Sequence, residues 1–176
     1  ADDVVICSAT ANDAERIKAV LPKRLAKYKL KLNEEKTKIV EFNRYARKTS
    51  SSFDFLGFTF YLGLTRRGVV VPKLKSSGKK LRIKLTKVNL WCKENRNKYP
   101  LLELRKTFCR KLRGHVQYYG VSFNSKAVQN FVDKSERMFF KWINRRSQRK
   151  SMNYDKFNLF LQKFPPPKSK ICHNLF

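Results

Sequence analysis

Acidic residues are scarce. The 176-residue chain holds 13 Asp and Glu against 41 Lys and Arg, a net charge of +28. The shortage is uneven. Residues 1–60 carry 8 acids against 12 bases, whereas residues 61–176 carry 5 against 29, a local surplus of +24. Self-repulsion of that size works against compaction unless a polyanion is close. Aromatic residues, 13% of the chain, are interleaved with the bases and suit stacking on unpaired bases alongside phosphate neutralisation. Nucleic acid is therefore the expected partner. An anionic membrane surface fits less well, because the basic stretches do not form tidy amphipathic interfacial helices.

Other absences narrow the class. No apolar run approaches membrane-spanning length, and no signal peptide is visible. The four cysteines, Cys7, Cys92, Cys109 and Cys172, are far apart, with no C-x-x-C pair and only Cys172-His173 adjacent. Zinc is not expected from such spacing. Reduced thiols in a cytoplasmic protein are expected, or in an organelle if the source is eukaryotic. No internal repeat is evident. The initiator methionine is missing too: the chain opens on Ala1-Asp2-Asp3, and we expect a piece of a longer protein or a processed product. With 41% hydrophobic residues, global disorder is excluded, and the length fits one large domain or two small ones.

What is present divides into an α+β first part and a basic helical remainder, with the change near residues 61–78. Residues 3–7 read as a strand. Asn12 reads as a helix N-cap, with Glu15 closing a capping box. Ala14, Ile17, Leu21, Leu25 and Tyr28 fall on one helical face, and Pro22 should kink or divide that helix. Leu30–Leu32 and Lys38–Phe42 read as strands around the turn Asn33–Lys36, followed by a basic, Ser-rich loop over 43–52. Phe53–Phe60 reads as one strand, with Gly57 marking a bulge or a close backbone approach. Val69–Val71 reads as its return strand, ended by Pro72. Four helical patterns follow: Leu81 to Trp91, Leu101 to Tyr119, Val128 to Ile143 with a cap at Asn124 or Ser125, and a short one from Phe157 to Phe164, stopped by Pro165-Pro166-Pro167.

The doublet Asp2-Asp3 is the sharpest chemical feature. On a tight turn both carboxylates can crowd one spot, where a pair about 4 Å apart repels by roughly 4 kcal/mol at an effective dielectric near 20. A divalent cation between them offsets that cost, and Mg²⁺ uses one or two carboxylates plus phosphate oxygens. The bland alternative is an exposed acidic turn.

The order of elements resembles the second half of a reverse-transcriptase palm, and most of all the group II intron-encoded reverse transcriptase/maturase family. Ala1-Asp2-Asp3 resembles the end of the family's Tyr-Ala-Asp-Asp metal box. Leu32–Val40 resembles the following palm motif, and Phe53–Phe58 the primer grip. Leu112-Arg113-Gly114-His115-Val116-Gln117-Tyr118-Tyr119-Gly120-Val121 and Trp142–Arg149 resemble parts of the maturase, or thumb, signature. Pro22 departs from the smooth helix expected there.

That resemblance implies residues 1–72 as the end of the palm and residues 73–176 as a helical thumb/maturase domain. It implies an RNA-directed DNA polymerase binding two Mg²⁺ ions, with Asp2 and Asp3 as catalytic metal ligands, Asp2 ranking first. Its partners would be structured intron RNA, an RNA–DNA hybrid or template-primer, and dNTP, with no membrane. The fingers and a further metal-binding Asp would lie before Ala1, so this segment alone should not polymerise. Lys36 would neutralise triphosphate charge or simply sit on a solvated turn. Leu56, Gly57 and Phe58 would position the primer end, core packing being the competing account of Leu56 and Phe58. Arg113, Arg145, Arg146, Arg149 and Lys150 would contact phosphate. Tyr118 and Tyr119 would stack on bases or serve the core, and His115 leans to a structural role. Two alternatives stand beside this: a non-catalytic RNA-binding maturase module, and another bacterial reverse transcriptase such as a retron type.

Overall fold

A computed structural model of the protein describes residues 3–43, 45, 51–148 and 152–175. The architecture is α+β: five helices and a three-stranded antiparallel sheet of order β1-β2-β3. The chain divides into two compact units, Ala1–Lys73 and Leu74–Phe176.

In the first unit, helix α1 spans Ala11–Ala26. Its N-cap is Thr10 and not Asn12: the Thr10 hydroxyl oxygen accepts from the Asp13 N–H at 3.1 Å and donates to the Asp13 carboxylate at 2.7 Å. Threonine two residues earlier outcompetes asparagine because Asp13 closes the reciprocal pair and favours the positive end of the helix dipole. Pro22 sits inside the helix without ending it. At the other end Leu30 N–H reaches Leu25 O and Lys29 N–H reaches Ala26 O, with Lys29 left-handed at φ 58°, a Schellman closure in which Lys occupies the usual Gly position. Ala14, Ile17, Leu21 and Leu25 are half-buried along one face as their spacing predicts, while Tyr28 lies beyond the helix and is exposed.

Three expected strands are absent. Residues 3–7, Leu30–Leu32 and Lys38–Phe42 have no ladder, and Val4, Val5, Ile6, Leu30, Ile39 and Val40 are exposed. Alternation and β-branching fit these runs for a sheet, but a strand exists only through a paired neighbour, and among the described residues none pairs with them.

The Phe53–Phe60 run is not one strand with a bulge. It is a hairpin of β1 (Ser52–Phe55) and β2 (Phe58–Leu64) joined by Leu56-Gly57. The register is Ser52↔Tyr61, Phe53↔Phe60, Asp54↔Thr59 and Phe55↔Phe58. Leu56 and Gly57 have φ of 48° and 82°. Two successive positive φ values define the type I′ turn, whose twist matches that of the flanking strands. Phe53 and Phe60 stack face to face at 5.1 Å across the pair, and Phe58 is buried.

A turn at Thr65–Val69, with Gly68 at φ 77°, leads to β3 (Val70–Ser76). Pro72 lies within β3 and does not end it. β3 is the outer strand of the order β1-β2-β3, and proline's missing N–H is tolerated at a sheet edge.

The second unit is helical: α2 (Gly78–Asn95), α3 (Leu101–Tyr119), α4 (Ser125–Ile143) and α5 (Tyr154–Lys163). α2 and α3 both pack on α4. Leu104, Phe108, Leu112 and Val116 from α3 meet Val128, Val132, Phe139 and Ile143 from α4, each at most 4% exposed. Asn124 stands at the N-cap position of α4 without capping it. Its amide instead donates to Ser76 Oγ and to Tyr119 O and accepts from Ser76 N, all at 2.8 Å, so one buried side chain ties together three chain segments.

After α5 the chain runs as an extended strap along α3. Cys172 and His173 N–H both donate to Gly120 O, at 2.6 and 3.0 Å. A β-carbon at Gly120 would lie 2.5 Å from Lys170 O and from Val116 O. That contact, and no unusual backbone angle, is why glycine stands here.

Candidate nucleic-acid interface

The basic residues of the second unit are sorted by what α3 and α4 bury. α3 turns Leu104, Phe108, Leu112 and Val116 inward, which leaves Arg113 and Gln117 outward and Tyr118 half-exposed. Tyr119 is buried. Lys84 from α2 lies over both rings, 5.7 Å from the Tyr118 centroid and 4.3 Å from that of Tyr119. Burial, and then the neighbouring Lys87 charge, lowers the Lys84 pKa. Burial likewise raises that of Tyr119, with Tyr118 adding to it.

His115 is buried between aromatic rings, 3.7 Å from the Phe131 centroid and 4.6 Å from that of Tyr119. Neither ring nitrogen has a hydrogen-bond partner. Burial and then the Lys84 charge push its pKa from 6.5 down to about 3, so it is a neutral packing element.

A second grouping surrounds Trp142. The indole N–H donates to Asn89 Oδ1 at 2.8 Å, which fixes the ring. Arg96, Arg145 and Lys141 lie over it at 5.2, 5.3 and 5.4 Å from the centroid. Arg146 donates to Tyr99 O at 3.1 Å. Nearby, Trp91, Asn95, Tyr99, Glu103, Thr107 and Lys111 help line a cavity of about 250 Å³. Among the described residues, Arg96, Lys141 and Arg145 have no carboxylate partner within 4 Å. Three like charges held by one ring repel one another, and a bound phosphate would relieve that repulsion.

An ion pair lies in the core. Arg105 is 1% exposed. Its Nη1 donates to both Glu136 oxygens at 2.8 and 2.7 Å, and Nε and Nη2 donate to Phe164 O at 3.1 and 2.8 Å. Burial raises the Glu136 pKa while the Arg105 hydrogen bond and charge pull it back.

The residues singled out by sequence are thus dispersed. Arg145 is exposed and Arg146 half-buried beside Trp142; Arg113 faces a separate cleft with Lys168 and Lys170. In the first unit Asp3 is exposed on the irregular segment before α1, and Lys36 is exposed on its turn. The Lys36 N–H bonds to Asn33 O and Oδ1, and the Thr37 hydroxyl donates to Asn33 O at 2.7 Å. Leu56 and Gly57 form the hairpin tip, and Phe58 faces inward. Asp2, Arg149 and Lys150 lie outside the described residues. Among the described residues no group of three or more His, Cys, Asp or Glu could hold a metal ion.

Sequence reasoning missed Lys84, Arg96 and Lys141. The spacing Lys141, Trp142, Arg145 held part of the signal, since residues four apart share a helix face. Arg96 and Lys84 arrive from α2, and nothing local announces them. Among the described residues no helix is long and apolar enough to cross a membrane.

No curated protein matches the chain, and no solved structure does. Residues 1–60, from the acidic doublet to the third residue of β2, match the family described as reverse transcriptase (RNA-dependent DNA polymerase).

Proposed function

We propose that this chain forms part of an RNA-directed DNA polymerase of the group II intron type. It would supply the end of the palm from its first unit and a thumb/maturase unit, which grips template-primer and structured intron RNA, from its second. The observation that carries the reading is the match of residues 1–60 to the reverse-transcriptase family. Support for the second unit is the surplus of 29 bases over 5 acids in residues 61–176, the stretch that contains it, and the cations around Trp142 without a carboxylate partner among the described residues.

Asp2 and Asp3 would hold Mg²⁺. The donor chemistry fits, because hard carboxylate oxygens together with substrate phosphates are what this ion takes. Asp3 is exposed and open to such a substrate; the other donors come from beyond the described residues. When bound, two such ions neutralise charge building up at the transferred phosphate. The chain's own contributions are carboxylate donors at Asp2 and Asp3, a cation at Lys36 for the dNTP triphosphate, and a rigid hairpin tip at Leu56-Gly57 for the primer end.

The test is substitution of Asp2 and Asp3 by Ala in the complete polymerase, read by primer extension on an RNA template and by RNA binding. Loss of extension by at least about 100-fold with RNA binding retained supports the reading. Unchanged extension refutes it. A polymerase that is inactive before substitution but binds RNA and promotes splicing would identify the non-catalytic module instead.

A further inference from the structure

We propose that the cleft between α3 and the C-terminal strap docks successive phosphates of a single polynucleotide strand. This rests on the nucleic-acid reading of the second unit, and nothing in residues 1–60 bears on it. The cleft has a volume of about 390 Å³ and is lined by Arg113, Val116, Gln117, Pro167, Lys168 and Lys170. That size is within the range of small-ligand sites and admits one strand. Three of the six lining residues are cationic and none is acidic. None of the three makes an ion pair among the described residues.

The strap is anchored on both sides of the cleft. Before it, Phe164 O takes two hydrogen bonds from the buried Arg105 guanidinium. After it, Cys172 and His173 are fastened to Gly120 O, and His173 Nε2 lies 3.0 Å from Gln117 O. Between the anchors, Pro165-Pro166-Pro167 restricts the backbone, and Ser169 N–H donates to Gln129 Oε1 at 3.3 Å. Side chains alternate along an extended segment. Ser169 is half-buried while Lys168 and Lys170 are both exposed, the alternation that puts the two lysines on one side. Two residues of extended chain advance by about 6.6 Å, on the order of the spacing between successive phosphates of an extended strand. Arg113 supplies a third cation from the facing helix. Val116 and Pro167 give an apolar floor, and the Gln117 amide can both donate and accept. The positive charges are therefore fixed before any ligand arrives, which lowers the ordering cost of binding.

The experiment is fluorescence anisotropy of a labelled oligouridylate titrated with the purified chain over a range of salt. Arg113→Ala, Lys168→Ala and Lys170→Ala should each reduce the slope of log K against log salt by about 0.7, and the triple variant by about 2. Arg113→Lys should keep the slope, and Lys126→Ala, exposed on α4 and absent from the cleft lining, should not change it. Matched melting curves show that the exposed substitutions leave the fold intact. If the wild type binds and the triple variant keeps its slope, the cleft assignment is overturned while the nucleic-acid reading stands. If the wild type binds no RNA, both are overturned. If inorganic triphosphate displaces the oligonucleotide at equal phosphate concentration, the site takes free anions and the strand assignment is wrong.

Discussion

His115 sits in a sequence stretch that resembles the thumb signature, and its surroundings make it the structural ring towards which the sequence leans. Phe131 of α4 and Tyr119 of α3 cover its faces, Lys84 of α2 adds like charge, and both nitrogens lack partners. Its folded pKa lies below its unfolded one. The unfolded chain therefore takes up the proton first, and the stability contribution is full above pH 6.5 and is lost as pH falls towards about 3. Glu136, raised by burial, acts in the opposite direction. The comparison of wild type with His115→Phe isolates the histidine: in urea titrations between those pH values, the wild type should lose up to about 1.4 kcal/mol per pH unit relative to the variant. Parallel pH profiles would show that the imidazole is not buried neutral. Arg105 carries no sequence signal of its buried role. A basic residue in a chain this rich in bases reads as surface, and only the partner at Glu136 explains its burial. Arg105→Ala or Glu136→Ala should each cost about 3–5 kcal/mol by leaving an unpaired buried charge, and the double apolar replacement Arg105→Met/Glu136→Leu should cost far less than the sum. Additive costs in denaturant unfolding would contradict the pairing.

At the scale of elements, the helices are legible, and of the strands the return strand at Val69–Val71, now β3, is legible too, while the others are not. Helical periodicity is a property of one segment, so Leu104, Phe108 and Leu112, or Val128, Val132 and Phe139, mark α3 and α4 directly. Strand identity depends on a neighbour. Val4-Val5-Ile6 and Ile39-Val40 have strand composition but no ladder among the described residues, whereas Phe53–Phe60, read as one strand, folds back on itself at Leu56-Gly57. The glycine was noticed; the leucine before it hid the turn, because leucine at positive φ is rare. A left-handed non-glycine residue costs about 1–2 kcal/mol. Leu56→Asn, with the residue that type I′ turns prefer, should therefore raise the stability of the first unit by about 1 kcal/mol in thermal unfolding. A loss of stability would mean that Leu56 packs in a way that outweighs its backbone strain. If the variant is stabler yet weaker in primer extension within the polymerase, the strain at the hairpin tip is retained for contact with the primer.

At the scale of the whole molecule, charge is the property that sequence conveys best and structure refines least. The surplus of bases in residues 61–176 needs no coordinates, but the clusters do. Arg145 and Arg146 are visible as a basic run, while the grouping of Arg145 with Arg96 and Lys141 around one indole, and that of Arg113 with Lys168 and Lys170, follows only from packing. RNA binding by the chain should be steeply salt-dependent: with 6–10 phosphate contacts, affinity falls by roughly 10³–10⁵ between about 50 and 200 mM salt. A shallow dependence in filter-binding or anisotropy measurements would mean that most of the positive surface never meets a phosphate.

Pro72 bears on how such a chain avoids sticking to itself. The outer strand β3 carries an imide in place of one amide, two residues after it begins. A second copy approaching that rim finds a broken row of donors, and it cannot extend the sheet by zippering along it. Copies brought together at high concentration would thereby be hindered from joining sheets at that rim.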